Sequence, residues 1–198
     1  VRFIGDPSAR IGEDYLRILR FFRFHAAYGH GGLPDADGLH ACIVARAGLD
    51  TLSRERVRME MLKLMLARHA VPALAAMTEA GLLDRVLGGV PLLASLSNLI
   101  KLEAALSLAP DAVRRLGALA VAIREDAERL RERLRLANAE YDRLAAMADA
   151  WWRIAAGADE QAARALLYRL RPDKYLDRVL LAWSRAPQGA ADKAWRDR

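Results

Sequence analysis

The sequence predicts an all-α protein, a multi-helix array of about ten helices with no β-sheet. Apolar residues recur at helical spacing along almost the whole chain, and the alternating apolar and polar runs that are typical of strands are missing. Glycine and proline punctuate these helical stretches at Gly81, Gly88, Gly89, Pro110, Gly157, Pro172 and Pro187. With 198 residues, 54% of them hydrophobic and 28% charged, the chain is long and apolar enough to bury a core.

The helices are expected in a definite order. The pattern predicts them at about residues 7–28, 37–47, 53–68, 70–80, 91–108, 111–122, 125–135, 137–155, 159–170 and 173–185. The two adjacent glycines at positions 88 and 89 predict a domain boundary, which divides the chain into residues 1–88 and 89–198. The polar last residues, 186–198, are expected to fray.

The first predicted helix has clear start and stop signals and two different faces. Asp6 is expected as its N-cap, Pro7 occupies the first helical position, and Gly29 ends it. One face is apolar and comprises Ile11, Tyr15, Ile18, Leu19, Phe22 and Ala26. Another face carries Arg10, Glu13, Asp14 and Arg17, and Phe21 and Phe24 continue it.

The charged face has two interpretations. Ordinary surface ion pairs at these spacings contribute about 0.2–0.5 kcal/mol each, and spacing alone favours that interpretation. However, an aspartate beside an arginine offers hydrogen-bond acceptors and donors together, which matches the Watson–Crick edge of a nucleotide base. The two phenylalanines on the same face indicate that something covers it. A base-binding role for Asp14 and Arg17 therefore stays open.

The residues around this face resemble a known family. Asp6-Pro7-x-x-Arg10-Ile11-x-Glu13-Asp14-x-Leu16-Arg17-x-Leu19-Arg20-x-x-Arg23-Phe24 is similar to the segment after the catalytic head of bacterial class II CCA-adding enzymes (tRNA nucleotidyltransferases) and poly(A) polymerases. The resemblance implies that Asp14 and Arg17 hydrogen-bond the base of incoming CTP or ATP, that Glu13 holds Arg17, and that Arg10 or Arg20 assists.

Two further stretches follow in family order. Leu52-Ser53-Arg54-Glu55-Arg56-Val57-x-x-Glu60 resembles a family signature that braces the nucleotide-reading helix, which implies structural support from Ser53, Glu55 and Arg56. The residues themselves predict Ser53 as an N-cap, an Arg56–Glu60 pair, and core positions at Met59, Leu62 and Leu66. A weaker resemblance lies at Arg135-Leu136-Ala137-Asn138-Ala139-Glu140.

The resemblance assigns the chemistry to a region outside this sequence. In the family, a preceding head domain holds two magnesium ions on an Asp-x-Asp pair, so Mg²⁺ is expected in an upstream head and not in this chain. Asp35-Ala36-Asp37 has the same letters, but it follows Pro34 and a glycine cluster, so a loop and an N-cap are predicted there instead. We expect no catalytic residue and no metal ligand in this chain.

Positive charge gives the second half of the chain two possible roles. The net charge is +6, and only four of the 31 basic residues are lysines, a bias that also suits a GC-rich genome. The arginines between positions 124 and 135 form either a solvated face paired with glutamates or a phosphate-binding surface. The same alternatives apply to Arg164, Arg169, Arg171, Lys174 and Arg178. Of Trp151 and Trp152, one is expected in the core.

Other signals concern location. The single Cys42 is expected to pack in a helix, which favours a reducing, cytoplasmic environment. The longest uncharged run, residues 86–100, is short and is interrupted by glycines and a proline, so no membrane segment is predicted.

Together the residues and the resemblance imply the neck and body of a template-independent enzyme. Residues 1–88 would be a neck-like domain that selects the nucleotide, and residues 89–198 a body that binds the tRNA acceptor arm. The full protein would add CMP and AMP to tRNA 3′ ends from CTP and ATP, with its own upstream head as partner. A poly(A) polymerase of the same family, an enzyme that adds only part of CCA, and a stand-alone non-catalytic helical RNA-binding module are the alternatives.

Overall fold

A computed structural model describes residues 1–154, 159–186 and 195. Over these residues the protein contains helices and no strand, so the all-α prediction is confirmed. The α-helices are α1 (Pro7–Glu13), α2 (Leu16–Tyr28), α3 (Ala36–Val44), α4 (Arg54–Met65), α5 (Ala70–Glu79), α6 (Leu83–Leu87), α7 (Leu93–Ala105), α8 (Ala112–Ala120), α9 (Arg124–Leu134), α10 (Asn138–Ala148), α11 (Glu160–Leu170) and α12 (Pro172–Arg185). Short 3-10 helices lie at Arg46–Thr51 and Trp151–Arg153.

The predicted single helix over residues 7–28 is wrong, because the chain breaks between α1 and α2. Asp14 is extended, with φ −160° and ψ 107°, and its amide closes α1 by donating to the Ile11 carbonyl. The Tyr15 ring packs against Gly48, where a Cβ atom would lie only 2.1 Å from Tyr15 Cδ1. This contact is made by a residue far along the chain, so local periodicity could not reveal the break.

The other boundaries differ mainly at helix ends. The predicted helix over 137–155 ends at Ala148 and is followed by the 3-10 helix, because Ala150 adopts a left-handed conformation with φ 55°. The predicted N-caps are confirmed at Asp6, Asp35 and Ser53, whose side chains accept hydrogen bonds from backbone amides of the first helical turn. The predicted fraying of residues 186–198 concerns a segment that, apart from 186 and 195, lies outside the described residues.

The chain divides into two compact units. The first contains residues 1–93 and 129–136, and the second contains residues 94–128 and 137–198. The functional division into a nucleotide-selecting region over 1–88 and a tRNA-binding body over 89–198 stays a prediction.

In the first unit, α2 packs against α4 and α5. The core includes Ile18, Phe22, Met61, Leu64 and Met77, all of them fully or almost fully buried. The expected core positions Met59 and Leu66 are wrong, since these side chains are 53% and 49% exposed. The buried face of α4 instead carries Val57, Glu60, Met61, Leu64 and Met65, a register that is set by the contact with α2. Cys42 is fully buried in α3, as its place in an apolar helix predicted.

The second unit contains a buried ionic network that the sequence did not indicate. Arg114 donates to Asp177 Oδ1 at 2.8 Å and to Glu103 Oε1 at 3.1 Å. Arg115 donates to the other oxygen of Glu103 at 2.7 Å, and Arg143 donates to Asp177 Oδ2 at 2.8 Å. Glu103 and Asp177 are almost completely buried, so these arginines supply the partners that a buried carboxylate requires.

Within the described residues, no helix combines the length and the apolar character needed to cross a membrane.

Candidate nucleotide-binding site

The first part of the site is an arginine pair on either side of Glu13, at the end of α1. Arg10 Nη1 donates to both Glu13 oxygens, at 3.0 and 2.8 Å. Arg17, from the first turn of α2, donates through its Nη1 to Glu13 Oε2 at 2.6 Å and to the Arg10 carbonyl at 2.6 Å. Arg17 is therefore fixed by a neighbouring carboxylate and by the backbone of α1, across the helix break.

The second part of the site is formed by Asp14 and Arg56, which are 42 positions apart. Arg56 Nη2 donates to Asp14 Oδ2 at 2.7 Å. The other oxygen, Oδ1, accepts from the Leu16 amide at 3.1 Å and so helps to start α2. Each carboxylate oxygen has two lone pairs, so Asp14 keeps capacity to accept from a ligand. Its side chain is 25% exposed.

The predicted Arg56–Glu60 pair is wrong. Because Arg56 extends to Asp14, Glu60 binds the arginines of α2 instead, with Arg23 Nε at 2.6 Å and Arg20 Nε at 3.6 Å. Glu60 is buried, whereas the Arg20 side chain is 43% exposed. Helix spacing predicted that Arg56 pairs with Glu60 within α4. In the structure Arg56 instead connects α4 to Asp14 at the α1–α2 break.

The electrostatics favour charged carboxylates at the break. The hydrogen bond from Arg17 is the main cause that holds the pKa of Glu13 below its ordinary value; burial opposes it, and the hydrogen bond from Arg10 and the charges of both arginines add to the lowering. For Asp14, burial raises the pKa, but the Leu16 amide, the Arg56 guanidinium and the charge of Arg20 outweigh it, so the pKa is lowered. Both groups are negative at neutral pH and can accept hydrogen bonds from amino groups.

The remaining members of the predicted set lie apart from this cluster or serve its framework. Ser53 caps α4, and Glu55 binds Arg135 Nη1 at 2.6 Å, which lowers the pKa of Glu55 chiefly through that hydrogen bond. Phe21 is buried and stacks on Phe3, so it does not continue the charged face as predicted. Phe24 does remain 37% exposed, and the Arg23 guanidinium lies 4.2 Å from its ring centroid.

The predicted cationic set of the second unit separates into different environments. Arg164 is exposed and pairs with Glu160 at 2.6 Å, whereas Arg178 is buried and donates to the Ala146 carbonyl at 2.6 Å. Arg169, Arg171 and Lys174 line one cavity together with Arg178. Trp151 is partly buried and donates through Nε1 to the Ala122 carbonyl at 2.8 Å, while Trp152 is 57% exposed.

The residues that could hold a metal ion do not gather in the described part of the chain. Over residues 1–154, 159–186 and 195, no three His, Cys, Asp or Glu side chains form a group that could hold one. Asp35 of the Asp-x-Asp sequence caps α3 and pairs with Arg2 at 2.7 Å. What the α1–α2 break offers is a carboxylate and a guanidinium, Asp14 and Arg17, which can accept from and donate to a polar ligand.

Comparison with known proteins gives this site a context. Residues 39–96 match the family described as "Probable RNA and SrmB- binding site of polymerase A". The mitochondrial CCA tRNA nucleotidyltransferase 1 of Danio rerio is 41% identical over 83 residues, which are 41% of this chain and 19% of that protein. Its Homo sapiens counterpart is 32% identical over 142 residues, 71% of this chain and 32% of that protein.

Solved structures share the fold. The Thermotoga maritima CCA-adding enzyme complexed with tRNA aligns with a TM-score of 0.65 and 14% identity, over 96% of this chain and 48% of the other. A complex of a CCA-adding enzyme with ATP aligns with a TM-score of 0.64 and 15% identity, over the same shares of the two chains. The chain thus spans between a fifth and a third of these curated relatives and about half of these solved chains.

The all-helical fold and the family match over residues 39–96 indicate the class, which is a helical portion of a polymerase A-type protein. The chain belongs to the family of CCA-adding enzymes and poly(A) polymerases, and it corresponds to a C-terminal portion of such a protein.

Proposed function

We propose that this chain is the nucleotide-selecting and tRNA-binding portion of an enzyme that adds CMP and AMP to tRNA 3′ ends without a nucleic-acid template. Curated relatives that carry the name CCA tRNA nucleotidyltransferase support this activity. Solved proteins of similar fold are complexes with ATP, CTP and tRNA, which supports these molecules as substrates and partner. The proposal applies to the full-length protein, with catalysis in a head domain upstream of this sequence.

One observation carries the proposal: the fixed Asp14 and Arg17 on either side of the α1–α2 break. Asp14 is held by Arg56 and Arg17 is held by Glu13, so neither side chain has to be ordered when a ligand arrives. An acceptor and a donor that are ordered in advance match the amino group and the ring nitrogen of cytosine or adenine. In this proposal Glu13 positions Arg17, and Arg10 and Arg20 add positive charge nearby.

Magnesium belongs to the absent head in this proposal. Among the described residues, no group of three or more His, Cys, Asp or Glu side chains could hold the ion. When bound in the head, two such ions would supply phosphoryl-transfer chemistry by stabilising the attacking and leaving oxygens. This chain contributes binding and orientation of the base and of the RNA.

The test is nucleotide incorporation by the full-length protein on tRNA substrates that end before each position of CCA. Asp14→Asn and Arg17→Gln are expected to reduce the preference of kcat/KM for the correct nucleotide by about tenfold or more, since each removes a base contact worth about 1–3 kcal/mol. Asp37→Asn and Arg46→Gln are matched controls on exposed residues of the same unit. Unchanged selection in both test variants would refute base reading by these residues.

Two alternatives have their own support. The description of the matching family as an RNA-binding site of polymerase A favours a poly(A) polymerase. Incorporation of many AMP residues without CMP would establish that alternative. A stand-alone helical RNA-binding module would bind tRNA and incorporate no nucleotide in any form of the native protein.

A further inference from the structure

The second unit contains a cavity that concentrates positive charge. It has a volume of about 320 Å³ and lies beside α10, at the junction of α11 and α12. Its charged lining residues are Arg124, Arg169, Arg171, Lys174, Arg178 and Asp149. Five cations and one carboxylate give a net charge of +4. By contrast, a larger cavity of about 710 Å³ in the first unit is lined by three arginines and three carboxylates, so its charge is balanced.

The carboxylate that lines the cavity, Asp149, already forms an ion pair with Arg178. Asp149 Oδ2 accepts from Arg178 Nη2 at 3.2 Å, and its side chain is 70% exposed to solvent, which weakens its effect on the other cations. Arg178 is buried and donates through Nε to the Ala146 carbonyl, so it forms a rigid floor. Burial lowers the pKa of Arg178, and the nearby charge of Arg169 adds to that shift. Arg124 pairs with Glu128 at 3.6 Å, but both side chains are exposed, so this pair is weak. Among the residues that line the cavity, cations therefore still outnumber carboxylates.

The backbone at Arg171 is held in an unfavourable conformation. Its φ of 68° and ψ of 160° lie in a region that is essentially restricted to glycine. The amide of Arg171 donates to the Leu167 carbonyl at 2.9 Å, and the Arg171 carbonyl accepts from the Tyr175 amide at 3.0 Å, so the turn is well hydrogen-bonded. A glycine would adopt this backbone conformation more easily than an arginine. The arginine, however, places a guanidinium at the cavity.

We propose that this cavity binds phosphodiester groups of the RNA backbone. The inference rests on the proposed function and assigns a specific place to its tRNA contact. Besides the buried Arg178, the lining cations are Lys174 and three arginines, Arg124, Arg169 and Arg171. The planar guanidinium groups of these arginines match phosphate oxygens in a bidentate manner. The volume is at the small end for ligand pockets, which suits phosphates and excludes a large organic ligand. Compared with the cations that the sequence grouped together, the cavity also includes Arg124 and does not include Arg164. Arg178 lies at its base.

The experiment measures binding of tRNA to the full-length protein at several salt concentrations. Arg169→Gln and Lys174→Gln are each expected to weaken binding about three- to tenfold and to reduce the slope of log K against log salt by about 1. Lys101→Gln, an exposed cation on α7 of the same unit, is the matched control. Arg164→Gln tests whether α11 acts through its total charge, and its effect is expected to be clearly smaller.

Arg171→Gly separates binding from folding. It removes a charge and relieves the backbone, so the variant should bind tRNA more weakly while its melting temperature stays equal or rises. Weaker binding together with a lower melting temperature would contradict this assignment. Salt slopes that match the wild type in the Arg169 and Lys174 variants would overturn the proposal.

A second arm distinguishes RNA from a free anion. Thermal stabilisation by inorganic phosphate that disappears in the Arg169 variant, combined with an unchanged tRNA salt slope, would show a small-anion site and overturn the RNA assignment. The outcome is independent of the nucleotidyl transfer assay. If the full-length protein incorporates no nucleotide but the slopes change as expected, the cavity binds RNA and the proposed enzymatic activity fails alone.

Discussion

Arg56 Nη2 lies 2.7 Å from Asp14 Oδ2, and this ion pair connects the start of α4 to the break between α1 and α2. The Asp14 side chain is thereby positioned by a residue of α4, which lies outside the neighbouring helices α1 and α2. Since Asp14 is the acceptor of the proposed base-reading pair, Arg56 acts as a positioning residue for nucleotide selection.

Arg56→Ala is expected to weaken nucleotide selection more than protein stability. The pair is partly exposed, so the free energy of unfolding should fall by no more than about 1 kcal/mol. Without its partner, Asp14 gains rotamer freedom, and discrimination between CTP and ATP by the full-length protein should fall several-fold. Arg46→Ala, on an exposed arginine of the same unit, is the control for lost charge. Selection equal to wild type in Arg56→Ala would show that Asp14 is positioned without this contact.

Gly48→Ala is expected to disturb the break through Tyr15. A Cβ atom at position 48 would lie 2.1–2.4 Å from three atoms of the Tyr15 ring, so the ring must move. Overpacking of this kind costs about 1–3 kcal/mol, which urea unfolding can measure. Gly12→Ala is the matched control, because nothing lies within 4 Å of its added Cβ atom and α1 should gain up to about 1 kcal/mol. Equal stability of the two variants would contradict the steric role of Gly48.

Asp177→Asn is expected to destabilise the protein strongly. Its carboxylate is fully buried and accepts from both Arg114 and Arg143, so the substitution removes one counter-charge from each guanidinium and leaves Glu103 and Asp111 as their remaining partners. Removing one partner of a buried pair costs about 3–5 kcal/mol. Glu160→Gln breaks an exposed pair with Arg164 and should change the free energy of unfolding by less than about 0.5 kcal/mol. A similar, small effect of both substitutions in urea unfolding would refute the structural role of the network.

Asp111 should contribute to the acid sensitivity of the protein. Burial raises its pKa, but hydrogen bonds from Arg143 and the Arg114 amide outweigh burial, and the folded pKa lies below the ordinary value of 3.8. A lowered folded pKa means that the stabilisation is fully present above the unfolded pKa and is lost as pH falls through the folded value. Asparagine keeps the helix cap, so Asp111→Asn isolates the charge.

The corresponding measurement is urea unfolding of both proteins between about pH 7 and about pH 2. The wild type should be the more stable protein at neutral pH, and the difference should shrink below about pH 4. A difference that stays constant over this range would show that the Asp111 charge makes no pH-dependent contribution.

Local chemistry made much of the helix content predictable. The caps at Asp6, Asp35 and Ser53 follow from short polar side chains that accept from amides three residues later, a contact that depends on no other part of the fold. The burial of Ile18, Phe22 and Cys42 likewise follows from apolar residues at helical spacing.

Long-range contacts account for what could not be predicted. Helix spacing assigned Arg56 to Glu60, but tertiary packing brought Arg56 to Asp14 at the α1–α2 break and Glu60 to Arg23 on α2. The break at Asp14 depends on Tyr15 against Gly48, and the ionic network depends on carboxylates that are up to 74 positions apart, from Glu103 to Asp177. No pattern within one helix contains this information. Sequence spacing grouped Arg164 with Arg169, although only the latter lines the cavity.

The break at Asp14 also limits how this region can be studied or imitated. A synthetic peptide that copies residues 7–28 would lack Gly48 and Arg56, so nothing would hold Tyr15 and Asp14 in their observed conformations. Inhibitor screening against such a peptide would address a different molecular surface from the one in the protein. The proposed base-reading pair depends on contacts of the assembled first unit, so any antagonist or redesign has to take the intact unit as its target.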